Sequence, residues 1–148
     1  WFEQSLPGGI FAGFKTGADL GQALASGDIF FNPSITETFG NVTLEAMASG
    51  LPVVAAGATG ASCLVSPGVT GQLVPPGDAM AFADAIGPYC TDHALRQAHG
   101  AAGERKAREF SWDAINQSVA YAYVRLIERR QAEQARAAAG AEAPIVRG

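Results

Sequence analysis

An α/β fold, with a Rossmann-like parallel sheet and flanking helices, is the class this sequence predicts, and three observations predict it. Short apolar runs such as Asp28–Asn32 (DIFFN) and Leu51–Ala56 (LPVVAA) do not alternate with polar residues, as in strands covered on both faces. Segments of helical length and spacing separate those runs. Glycine or proline marks nearly every junction, which is how short strands and helices are punctuated in such folds.

In chain order, Gly9–Phe14 (GIFAGF) is an apolar run bounded by glycines and reads as a strand. Gly17–Ser26 follows as a helix with Leu20, Ala23 and Leu24 on one face, stopped by Gly27. The Asp28–Asn32 strand must end at Pro33, which has no N–H for a ladder. A loop, Ser34–Phe39, then opens a helix near Gly40–Ser49, with Gly50 as its stop and Leu51–Ala56 as the next buried strand. Cys63–Val65 and Gln72–Val74 flank a Pro-Gly turn and read as a pair. Ala79–Ile86 and Ala94–Phe110 read as helices. Ser111 is placed to cap a long helix from about residue 111, in which Ile115, Val119, Tyr123 and Ile127 recur every fourth position. Residues 1–130 form one part of the chain on this reading. Residues 131–148 form an Ala/Glu/Arg-rich tail, expected to fray or be disordered from about Gln134.

The 148 residues are 48% hydrophobic and 16% charged, a globular composition rather than a disordered one. Net charge is −4 but unevenly spread. Residues 1–95 carry eight acids and one cation, Lys15, whereas residues 96–148 carry nine cations and six acids. Nucleic acid is therefore excluded as the main ligand, because phosphate backbones are held by clustered Lys and Arg. Ala46–Gly77 lacks any charge, but its six glycines and four prolines rule out a membrane span. Cys63 and Cys90 make no disulfide or metal pattern; they read as small packing residues in a reducing, cytoplasmic setting. His93 and His99 lie six apart, off the spacing of helical metal ligands, and read as surface or packing residues. With no Asp-x-Asp string and no His, Cys and acid cluster, no metal site is expected. The sequence starts at Trp1 without a signal-like segment and reads as a fragment.

One segment carries chemistry, Pro33–Ala48 (PSITETFGNVTLEAMA). It follows the carboxyl end of a buried parallel strand, where open α/β sheets bind ligands. The free amides of Gly40, Asn41 and Val42 would point from the helix start toward that crevice and suit a phosphate. Gly40 lets a ligand approach the backbone closely. Glu37 and Glu45, eight positions apart, repel phosphate but accept hydrogen bonds from hydroxyls. A diphosphate between two polyhydroxylated groups fits this set, which is the form of a nucleotide sugar. Taken singly, each feature is ordinary: a glutamate near a helix start compensates the dipole, and Thr38 or Asn41 would serve as a cap.

The combined string Glu37–Ala55, ETFGNVTLEAMASGLPVVA, resembles the E-x(7)-E donor motif of retaining glycosyltransferases of GT-B fold. The likeness extends to F-x-G-F-x-T-G-x-x-L with A-S-x-D-x-F-x-x-P-S at Phe11–Ser34, to G-x-T-G-x-L-V-P-P-G-D at Gly68–Asp78, and to Phe110–Trp112. The resemblance implies the incomplete C-terminal, donor-binding half of a GT-B enzyme, transferring a hexose from a nucleoside-diphosphate sugar to an acceptor hydroxyl without a cofactor or metal. By the same resemblance Glu37 is the catalytic-site residue that contacts the donor sugar, helped by the amides of Phe39 and Gly40. The amides of Asn41 and Val42 meet the diphosphate, Glu45 holds the ribose, and Phe14 and Lys15 border the nucleobase. The T-E-T-F-G-N-V variant looks most like mannosyltransferases using GDP-mannose, with a UDP-hexose as the rival donor and a glycolipid or lipid as acceptor. A lipid acceptor implies a peripheral position at the inner membrane face. The chain departs from the family by lacking the Arg and Lys that clamp the diphosphate and the whole N-terminal acceptor domain. This fragment is accordingly expected to be inactive alone. A non-catalytic nucleotide-sugar binding module and a GT-B-fold epimerase are the alternatives.

Overall fold

A computed structural model describes the backbone of residues 2–141 and the side chains of residues 4–137. The chain divides into two compact units, residues 1–108 and 109–148. In the first unit the order is α1 (Phe2–Ser5), α2 (Gly17–Ala25), β1 (Phe30–Asn32), α3 (Asn41–Ala48), β2 (Val53–Ala56), α4 (Thr59–Leu64), β3 (Gly71–Val74), α5 (Ala79–Thr91) and α6 (His93–Ala107). A 3-10 turn, Arg108–Phe110, stands at the junction, and α7 (Trp112–Ala141) makes up the described part of the second unit.

The sheet is parallel with strand order β1-β2-β3, Phe30 pairing with Val53 and Val53 with Gly71. Every residue of β2 is buried, as its unalternating apolar sequence requires. Successive side chains point to opposite faces. Val54 and Ala56 join Val74, Phe82 and Tyr89 in a core cluster on the side of α5. Helices α3 and α6 also meet closely. A Cβ on Gly100 would fall 2.0 Å from the Gly50 carbonyl oxygen, so only glycine lets the helix seat there. Asp78 and Asp92 cap α5 and α6, their side chains accepting from the amides of Ala81 and Leu95 at 2.9 Å. Tyr89 is buried, its hydroxyl 2.8 Å from His99 Nδ1, and burial raises the phenol pKa, partly countered by a hydrogen bond from Gln72.

Several elements differ from the sequence expectation. Gly9–Phe14 is not a strand: no strand among the described residues lies beside it, and Ile10 and Phe14 are almost fully exposed. A strand exists only through its partner, and a string of apolar residues cannot supply one. Among the described residues β1 is therefore an outer strand, with Phe31 half exposed and edge-on to Phe82. Cys63 does not pair with the Gln72–Val74 run. It sits in the short helix α4, while that run is β3 and pairs with β2. Both cysteines are exposed rather than packed. Helix α5 runs past Gly87 and Pro88 to Thr91, because burying Tyr89 outweighs the hydrogen bond that Pro88 removes.

In the second unit Ser111 caps α7 as expected, accepting from the Ala114 amide at 3.2 Å. The helix extends through the Ala/Glu/Arg-rich stretch to Ala141, since those residues are strong helix formers. Residues 142–148 lie outside the described residues.

Candidate functional site

The loop that leaves β1 at Pro33 turns back into α3 at Gly40, and it does so at the carboxyl end of the parallel sheet. Gly40 has φ +92°, a left-handed conformation that glycine adopts without strain, and it is the N-cap residue of α3. Its carbonyl accepts from the Leu44 amide at 2.9 Å and so begins the helix. No side chain caps this end. The first amides of a helix have no intrahelical acceptor, so those of Asn41 and Val42 carry the positive end of the α3 dipole outward. Asn41 is exposed and Val42 half-buried.

Glu37 lies directly beside this turn. A Cβ on Gly40 would stand 3.3 Å from Glu37 Oε2 and 3.2 Å from Leu64 Cδ1. Oε2 is buried and accepts no hydrogen bond, the one buried side-chain oxygen or nitrogen without a partner among the described residues. Such an atom is costly to bury, and its presence marks a place where another molecule can supply the donor.

Two features that sequence reasoning missed hold the loop in place. Helix α4 abuts it: the Gly60 amide donates to the Glu37 carbonyl at 3.3 Å, and a Cβ on Gly60 would lie 2.2 Å from the Phe39 carbonyl carbon and oxygen. Thr59, just before it, has φ +39°, an unfavourable conformation for a β-branched residue. The second feature is Asn32, which is buried at the end of β1. Its carboxamide donates to Thr43 Oγ1 at 3.3 Å and accepts from the Ser34 amide at 3.1 Å. The Gly57-x-x-Gly60 spacing was a usable signal for the first feature. Nothing in the sequence marks the second.

Glu45 is exposed on the fifth position of α3. It lines a groove of about 250 Å³ with Gly17, Leu20 and Gly21 of α2 and Ser49 at the end of α3. The structure thus brings Glu37, Phe39 and Gly40 together with Thr43, Leu64 and Gly60, and sets Glu45 against α2. Phe14 and Lys15 precede α2 in the chain but are not among the residues that line this groove; Phe14 is almost fully exposed and Lys15 half-buried. Among the described residues, no group of three or more His, Cys, Asp or Glu is placed to hold a metal ion.

A loop and a helix N-terminus thus stand at the carboxyl end of a parallel sheet, the place where open α/β folds bind ligands. The family profile described as "Glycosyl transferases group 1" matches residues 3–92, and the chain belongs to that family. It is 39% identical over 113 residues to the sulfoquinovosyl transferase SQD2 of Arabidopsis thaliana, covering 74% of this chain and 22% of that protein. It is 36% identical over 115 residues to a GDP-mannose-dependent alpha-mannosyltransferase of Mycobacterium tuberculosis, covering 76% of this chain and 29% of that one. Among solved structures it is similar to Anabaena HepE in complex with UDP and glucose, with TM-score 0.66, 35% identity, and coverage of 73% of this chain and 30% of the other. The fold is thus part of a GT-B architecture. The matches span less than a third of the length of each of these proteins.

Proposed function

We propose that this chain is the donor-binding part of a retaining glycosyltransferase, which moves a hexose from a nucleoside-diphosphate sugar to an acceptor hydroxyl. The observation that carries the reading is the meeting, at Gly40, of an uncapped helix start and a buried Glu37 oxygen without a donor. The α3 amides suit the diphosphate, and their dipole favours the negative charge that grows on it as the glycosidic bond breaks. A sugar hydroxyl brings the hydrogen that Glu37 Oε2 lacks. Burial of this one oxygen beside Gly40 makes the contact specific in position. In the groove beside α2, Glu45 accepts from the ribose hydroxyls, and Phe14 and Lys15 border the base.

Transfer needs no metal ion on this reading, and the cations that clamp the diphosphate come from outside these 148 residues. The chain alone is therefore inactive. One similar protein is named for GDP-mannose and another is bound to UDP and glucose, so a GDP-mannose or UDP-hexose donor is the range the similarities support. A glycolipid or lipid is the proposed acceptor, reached from a peripheral position on the cytoplasmic side. Among the described residues no helix is long and apolar enough to cross a membrane.

The test is transfer by the full-length protein from labelled GDP-mannose and UDP-glucose. Glu37→Gln is expected to lower kcat by about 10²-fold or more, as losses at preorganised polar contacts do. Glu45→Ala is expected chiefly to raise KM for the donor. Unchanged kinetics in both variants would overturn the site, and inversion at the anomeric carbon would overturn the mechanism.

A further inference from the structure

We propose that Asn32 is a positioning residue for Glu37, fixing both ends of the loop that carries it; the inference rests on the donor-site reading above. Glu37 Oε2 has no protein donor to hold it. Its place is set by the backbone of the loop, and the loop has few anchors. Pro33 has no N–H, so Ser34 offers the first amide after the strand, and the Asn32 side-chain carbonyl takes it at 3.1 Å. The other end of the same carboxamide donates to Thr43 Oγ1 at 3.3 Å, in the first turn of α3. Thr43 is completely buried and Asn32 only 9% exposed, so the bond between them is shielded from water, while the bond from the Ser34 amide is partly buried. One side chain thus ties the strand end, the start of the loop and the helix that receives its other end. Gly60 provides a further anchor, at the Glu37 carbonyl itself.

A purely structural hydrogen bond and a positioning one respond differently to paired replacement. Exchanging both partners for apolar groups of similar shape removes the buried unsatisfied atoms and leaves stability close to its starting value. It does not restore the acceptor for the Ser34 amide. Asparagine to aspartate, in contrast, keeps that acceptor, and a threonine hydroxyl can rotate to donate to the second oxygen.

The experiment uses the full-length protein as Asn32→Leu, Thr43→Val, the double variant Asn32→Leu/Thr43→Val, and Asn32→Asp. Transfer from GDP-mannose and UDP-glucose is measured with hydrogen exchange of the 33–40 segment. The double variant is expected to melt near the wild-type temperature, to exchange faster at Ser34–Phe39, and to lose about ten- to hundredfold in kcat/KM for the donor. Asn32→Asp is expected to recover most of that loss. Wild-type exchange and kinetics in a stably folded double variant would overturn the proposal, as would an Asn32→Asp variant no better than Asn32→Leu. If the wild-type protein transfers from neither donor, the donor-site reading fails and the role assigned to Asn32 fails with it. If the wild type is active and the double variant equally so, only the Asn32 assignment fails.

Discussion

Gly60→Ala tests the packing of α4 against the Glu37 loop. The added Cβ would lie 2.2 Å from both the carbon and the oxygen of the Phe39 carbonyl, and 2.7 Å from its Cα. Ordinary contact begins near ~3.4 Å in a close-packed interior, so helix and loop must part by more than ~1 Å. All the obstructing atoms are backbone, which cannot turn aside as a flexible side chain would. Overpacking of that kind costs about 1–3 kcal/mol. Parting also breaks the Gly60 amide bond to the Glu37 carbonyl, worth about 0.5–1.5 kcal/mol. Against this stands the better helix propensity of alanine, about 1 kcal/mol. The balance is a loss of about 0.5–3.5 kcal/mol, with the displacement falling on the loop that carries the residue proposed to touch the donor sugar. Gly103→Ala is the internal control. There the new Cβ would meet Met47 and Leu51 atoms at 3.6–3.7 Å, ordinary contact, so the propensity gain survives and the variant is stabilised by about 0.5–1 kcal/mol. Thermal melting gives the signs, and donor KM and kcat report the loop. A Gly60→Ala protein that melts like Gly103→Ala and keeps wild-type kinetics would refute the close-approach argument.

Two other substitutions probe local conformation and ionisation. Thr59 at φ +39° carries about 1–2 kcal/mol of left-handed strain, so Thr59→Gly is expected to stabilise by up to about 1 kcal/mol after the added unfolded-state entropy, read from the denaturant midpoint. A clear destabilisation would mean that the threonine side chain holds this turn. Burial keeps the Tyr89 pKa above its ordinary value of 10.0, so the unfolded chain loses its phenol proton first. The associated stability is intact below about pH 10 and is lost as pH rises through the folded value. Melting temperatures of wild type and Tyr89→Phe compared between about pH 8 and pH 11 should show a steeper alkaline decline in wild type. Parallel curves would place that titration elsewhere.

The parts of this fold that the sequence discloses are those fixed by a residue's own chemistry. Pro33 ends β1 because it has no N–H, Gly40 takes φ +92° because it has no Cβ, and the apolar run Val53–Ala56 is buried on both faces because nothing in it tolerates water. Glu37 stood out on the same ground, as a carboxylate at the mouth of a helix. What stayed hidden depends on partners distant in the chain. The apolar Gly9–Phe14 run has the composition of a strand but no neighbour among the described residues, so composition misled. Helix α4 (TGASCL) has no side-chain cap, and Thr59, Gly60, Ser62 and Cys63 are poor helix formers. It forms because Ala61 and Leu64 are buried, an outcome set by the space that β2 and the Glu37 loop leave. Asn32 and Thr43 are eleven residues apart, and neither alone differs from an ordinary turn or helix residue; their meaning is the 3.3 Å between them. The same division runs through the site itself. The groups that would touch a ligand are legible because ligand chemistry restricts residue type. The groups that hold them are not, because many residue types can pack and only the three-dimensional neighbour decides which one must.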